Sequence, residues 1–156
     1  MTAVAVFYHL TRSGLDDLVS TVVLRAAAQG WPVYLRSPDK DLLAHLDERL
    51  WLVPEEGFLP HGLAGGPHDR DQPVLLGSGA IANGARGLML LRGAAVTQGE
   101  LAGLERVWLV FDGADETAVQ AARAQWTMLT GWGLAAQYWA DDSGTWVKKV
   151  EKPAAG

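Results

Sequence analysis

Val107-Trp-Leu-Val-Phe111, followed by the acidic turn Asp112-Gly-Ala-Asp115 and an alanine-rich run over residues 116–129, decides the fold. Five consecutive apolar residues without polar alternation describe a strand buried on both faces, the pattern of a parallel sheet covered on both sides. The run after it reads as a long helix that closes near Gly131 and Gly133. Working outward, the same succession recurs at the N-terminus. Ala3-Val-Ala-Val-Phe-Tyr8 is a near-continuous apolar strand, and Asp16 and Asp17 suit the positive end of a helix dipole. Leu15, Leu18, Val19, Val22, Val23 and Ala26 form that helix's apolar stripe, and Gly30 closes it. Trp31-Pro-Val-Tyr-Leu35 is a short second strand. Ser37 and Pro38 supply an N-cap and a first-turn proline for a helix bearing Leu42, Leu43, Leu46 and Leu50.

Residues 62–72 read as a polar, glycine-rich connection. Pro73-Val-Leu-Leu76 and Leu88-Met-Leu-Leu91 read as strands flanking a second glycine-rich loop, 77–87. Thr97 and Glu100 have capping-box spacing. Ala135-Ala-Gln-Tyr-Trp139 and Thr145-Trp-Val-Lys-Lys149 pair as terminal strands around Asp141-Asp-Ser-Gly144. Alternating strands and helices predict one α/β domain over residues 1–150, with a mostly parallel sheet and helices on both faces. Residues 151–156 are expected to form a flexible tail.

At 156 residues the chain is long enough for one continuous core. No apolar run reaches the roughly 18 residues of a membrane span, and the N-terminus lacks a basic leader. The chain has no cysteine, which excludes disulfides and thiolate chemistry and makes the cytoplasm the default compartment. A net charge of −5 gives non-specific binding to nucleic acid no global help, so a direct nucleic-acid binder is disfavoured, although a local basic patch is not excluded.

Catalytic signatures are missing. Gly77-Ser-Gly-Ala-Ile-Ala-Asn-Gly84 follows a strand, as a phosphate loop would, but its spacing matches neither the Walker pattern nor the dinucleotide fingerprint. No lysine occurs between Lys40 and Lys148. The competing reading is a nucleotide-dependent enzyme that uses the loop from Gly77 to Gly87 together with Asp112. His61, His68, Asp69 and Asp71 cluster locally but lack helical i, i+4 spacing, so exposed polar residues are favoured over a metal site. His9, at the end of the first strand, has no aligned nucleophile and reads as a structural hydrogen-bonding residue. Neither a cofactor nor a metal is expected.

Two surfaces could carry binding instead. Trp51, Phe58, Leu59, Pro60 and His61 lie where prolines and glycines favour a loop. Trp51 and Phe58 either staple that loop over the core or fill a partner's pocket. On the last helix Arg123, Trp126, Thr127 and Thr130 share one face at i, i+3, i+4 and i+7. An arginine beside an aromatic suits a short peptide ending in a carboxylate, though an exposed arginine with Trp126 in the core fits the same spacing.

Several of these residues are familiar together. Phe7-Tyr8, the helix end Leu46-Asp-Glu-Arg-Leu-Trp51, the loop Phe58-Leu-Pro-His61, residues 107–112 and Ala121-Ala-Arg-Ala-Gln-Trp126 resemble the chi subunit family of bacterial DNA polymerase III. The resemblance implies a Rossmann-like fold without catalytic activity and a bridging role at the replication fork. It implies that Trp51, Phe58 and their loop neighbours meet the psi subunit, which leads to the clamp loader, and also a helicase-like repair partner. It further implies that Arg123, with Trp126 in the place of a family tyrosine, meets the C-terminal tail of single-stranded DNA-binding protein, an acidic tail ending in Phe. Val119, Thr127 and Thr130 stand where family members carry cations, while Lys148, Lys149 and Lys152 are the nearby basic residues that could compensate.

Overall fold

The computed structural model describes residues 3–52 and 59–155, so Phe58 lies outside it. Seven strands run parallel: β1 (Val4–Leu10), β2 (Val33–Arg36), β3 (His61–Leu63), β4 (Val74–Gly77), β5 (Gly87–Leu91), β6 (Arg106–Asp112) and β7 (Ala135–Ala140). β8 (Val147–Lys152) adds antiparallel to β7. The spatial order is β3-β4-β2-β5-β6-β1-β7-β8. The α/β class and the mostly parallel sheet thus stand as read from the alternation of apolar strands and helices.

Parallel register fixes which side chains share a face, because partners at the same level point the same way. Val6 is level with Trp108, and Phe7 with Leu109 and Tyr138. The Val6 face, with Leu35, Leu76, Met89 and Val110, is covered by α1 (Leu15–Ala28) and α2 (Lys40–Leu50). The Phe7 face, with Leu75, Leu88 and Leu109, is covered by α3 (Glu116–Gly131) and by a 3-10 turn over Gln98–Gly103. Each buried Leu, Val or Phe contributes about 1.5–3 kcal/mol, so two such layers supply the main stabilisation.

Local expectations needed three corrections. Asp39, not Ser37, caps α2: its carboxylate accepts from Asp41 N and Leu42 N at 3.1 Å each, while Ser37 Oγ accepts from Asp39 N at 3.1 Å. A carboxylate there also complements the helix dipole, which leaves Pro38 just outside the helix. The polar connection 62–72 begins with the last residues of β3, and just beyond that strand Ala64 N donates to Leu76 O at 2.7 Å. Finally, β8 continues to Lys152, and Ala155 N donates to Gly133 O at 3.1 Å, so the region expected as a tail from 151 starts inside a strand. The Thr97–Glu100 capping box forms as its spacing predicts.

Candidate protein-binding surfaces

The apolar stripe of α2, Leu42, Leu43, Leu46 and Leu50, is buried, and the helix stops where that stripe stops. Trp51 follows as the C-cap residue, at 54 % exposure, with Leu52 at 65 %. Beneath Trp51 the buried His61 imidazole lies at a ring-centroid distance of 4.2 Å. Its Nδ1 is 2.7 Å from Leu59 O, and its Nε2 is 2.9 Å from Asp47 O and 3.6 Å from Asp47 Oδ1. His61 therefore ties the last turn of α2 to the start of β3. Leu59 is buried in the α2-side core, and Pro60 is half-buried. Of the described residues in this group, Trp51 and its neighbour Leu52 face solvent, and Leu59 and His61 hold them there.

α3 presents the second group. Asp115 caps it by accepting from Thr117 N at 3.0 Å and Ala118 N at 3.3 Å. Arg123 is exposed and has no ion pair with a described carboxylate. Trp126 is half-buried, its ring 5.2 Å from Phe7 and 6.3 Å from Tyr138 between centroids. It is both core and surface. Thr127 Oγ1 donates to Arg123 O, and Thr130 Oγ1 donates to Trp126 O at 2.7 Å, so both hydroxyl protons bond within the helix. Val119 packs against the core beneath α3.

Sequence spacing alone missed the floor of this face. Tyr138 Oη lies 2.6 Å from His9 Nδ1, and the His9 ring sits 5.2 Å from Phe111. Burial pushes the Tyr138 phenol pKa up, against a smaller downward pull from the Arg123 guanidinium. α3, which carries Arg123, and Tyr138 lie on the same face of the sheet. His9 is a hydrogen-bonding residue, as read, but it belongs to this surface. It also explains Gly113: a Cβ there would overlap the His9 imidazole. On β8, Val150 pairs with Tyr138 and Lys152 with Ala136, so both stand on the α3 side. Lys152 has no ion pair with a described carboxylate, whereas Lys148 pairs with Glu151 at 3.1 Å and Lys149 with Asp142 at 3.3 Å. Register could not be read from residues whose partners lie across a bulged hairpin.

The carboxyl ends of β1, β5 and β6, where α/β folds place small ligands, open into a cavity of about 600 Å³. Asp112 lines it; none of residues 77–87 does. The backbone N–H groups after β1, which hold phosphate in nucleotide-binding relatives of this architecture, are taken by the chain itself. Asp141, 1 % exposed, accepts from Thr11 N at 2.7 Å, Arg12 N at 3.2 Å and Ser13 N at 2.5 Å. Burial pushes its carboxyl pKa up, but these hydrogen bonds prevail and hold it at about 2. The glycine loop is likewise committed. Asn83 Nδ2 donates to Val33 O at 3.0 Å and Gln72 O at 2.9 Å, clasping β2. In the 62–72 connection, Asp69 accepts from Gly65 N and Gly66 N at 2.9 and 3.0 Å, a turn-closing role.

Fold and surfaces together define a Rossmann-like α/β domain whose anion cradle is filled from within and whose two outward-facing aromatic groups stand on opposite sides of the sheet. The family model for the DNA polymerase III chi subunit, HolC, matches residues 1–137, and the chain belongs to that family. The DNA polymerase III subunit chi of Pseudomonas aeruginosa is 39 % identical over 66 residues, a match covering 42 % of this chain and 45 % of that relative.

Proposed function

We propose that the chain is a non-catalytic accessory subunit of the replicative polymerase that joins two partners at once. The Trp51 patch meets the psi subunit or an equivalent, and through it the clamp loader; a repair helicase would compete for the same patch. The Arg123 face takes the C-terminal tail of single-stranded DNA-binding protein, so contact with DNA is indirect. The reading places the protein in the cytoplasm.

The observation that supports this most is the disposition of the two surfaces. α2 packs on one sheet face and α3 on the other, so occupants of each would not collide. The chemistry agrees. Arg123 can grip a terminal carboxylate bidentately, while Trp126, Tyr138 and Val150 offer an apolar seat for a terminal Phe. Trp51 with Leu52 is an apolar anchor of the hot-spot kind.

Two substitutions test the division. Arg123→Ala is expected to weaken a fluorescent peptide ending in Asp-Phe about tenfold while psi capture is unchanged. Trp51→Ala is expected to weaken psi capture about thirtyfold, with peptide affinity unchanged. Peptide affinity unaltered in a folded Arg123→Ala protein removes that arginine from the reading.

A further inference from the structure

A second aromatic and basic assembly lies at the amino ends of the parallel strands, on the α1 face and away from Trp51 and Arg123. The end of α1, the segment before β2 and the starts of β6 and β7 enclose a notch of about 210 Å³. Three of the chain's seven tryptophans, Trp31, Trp108 and Trp139, line it together with Tyr8. So do Arg25 and Arg106. We infer that this notch binds a single flat aromatic group carrying an anion.

The rings are fixed before any ligand arrives. Trp108 is 6 % exposed, and its indole fills the space a Cβ would take at Gly87 on the neighbouring strand. Trp139 Nε1 donates to Gln137 Oε1 at 3.0 Å. Trp31 lies under the Arg106 guanidinium, whose Cζ is 5.7 Å from the ring centroid, a cation–π contact that orients the arginine over the notch. A site with immobile aromatic walls loses little entropy on binding, and any planar group finds a stacking surface there.

The charge is as telling as the rings. The chain carries 18 acidic and 13 basic residues, so acids are in excess overall. Arg25 and Arg106 nevertheless form no ion pair with a described carboxylate. Arg106 gives one N–H to Glu105 O at 3.0 Å and keeps the others. Both guanidinium groups bear on the Tyr8 phenol, lowering a pKa that burial raises more strongly. Both arginines line the same small notch. Two cations lining one notch suit one carboxylate or one phosphate, and with a net charge of −5 they are too few to follow a nucleic-acid strand.

Small acids of this kind are aromatic carboxylates and nucleoside monophosphates, and one titration separates them. Indole N–H resonances of the full chain are followed by NMR while N-acetyl-phenylalanine or thymidine monophosphate is added, with N-acetyl-phenylalanine amide and thymidine as uncharged controls. One acid should shift the Trp31, Trp108 and Trp139 resonances saturably, and its uncharged control should bind at least tenfold more weakly. Arg106→Gln and Arg25→Gln should each weaken it about tenfold without moving the melting temperature, and Arg123→Ala should have no effect. The inference fails if neither acid saturates at millimolar concentration, if the controls bind equally well, or if only Arg123→Ala abolishes the shifts. Phosphate preference would assign the notch to nucleotides, and carboxylate preference to aromatic acids.

Discussion

Arg36 and Arg123 are the same residue type put to opposite uses. Arg36, 9 % exposed at the end of β2, donates to Gly79 O at 3.2 Å and Ala95 O at 2.9 Å, and to both Glu100 oxygens at 3.0 and 2.6 Å. Its guanidinium also lies over Tyr34, with Cζ 5.6 Å from the ring centroid. Arg123 is exposed on α3, with no described carboxylate to pair with. The charge of Arg36 is answered within the chain; that of Arg123 is left for something else. Substitutions at the first region should therefore change stability, and substitutions at the second should change binding.

The strongest way to break that division is at Arg36. Arg36→Ala strands the Glu100 carboxylate, whose side chain is only 23 % exposed, and releases three carbonyl and carboxylate partners on different loops. The expected loss is about 3 kcal/mol by urea unfolding. A loss below about 1 kcal/mol would mean that the pair is no more stabilising than a surface one.

Next comes Asp141. Asp141→Ala leaves three N–H groups after β1 without their acceptor, and about 2 kcal/mol should be lost. pH provides the sharper measurement. The Asp141 carboxyl falls from an ordinary 3.8 to about 2 on folding, and the hydrogen bond from Arg36 takes Glu100 from 4.5 to about 2. Folded values below unfolded ones mean that the stability is fully present above about pH 4.5 and is lost as pH falls toward 2. Wild-type unfolding free energy should therefore drop steeply across that window. The slope should flatten by one group's share in Asp141→Ala. An unchanged slope would show that the cradle does not hold an ionised carboxylate.

What could be read from the chain, and what could not, follows the range of each contact. The strands β1 and β6 were legible because burial on both faces writes continuous apolar runs, and the Thr97–Glu100 box because its partners are three residues apart. β3 was not, since His61-Gly62-Leu63 is too short to show any period and exists only because β4 offers an edge. Nor was the end of β8, where exposed lysines on an edge strand look like a tail. Trp51 and Arg123 were legible as residues out of keeping with their surroundings. The floor of the α3 face was hidden, because His9 and Tyr138 meet across 129 positions. The Asp141 cradle, spanning a similar interval, was hidden for the same reason.

The smallest expected effect sharpens the comparison most, because it concerns a residue that looks inert by every stability criterion. Lys152 is exposed on the edge strand, and its register with Ala136 sets it on the α3 side, two positions from Val150, which is level with Tyr138. It is the β8 lysine with no described carboxylate paired to it, so it alone among Lys148, Lys149 and Lys152 has its charge available to an acidic tail. Lys152→Ala should leave the melting temperature unchanged within error, since exposed substitutions away from structural contacts usually fall within about 0.5 kcal/mol. Peptide affinity should fall only two- to fivefold, the scale of one exposed charge contact, and that difference should vanish in high salt. Lys148→Ala, whose register with Trp139 sets it on the opposite side of the sheet, serves as the control of equal charge. If it weakens the peptide as much as Lys152→Ala does, attraction is set by the general field of the edge and not by the side on which each lysine stands.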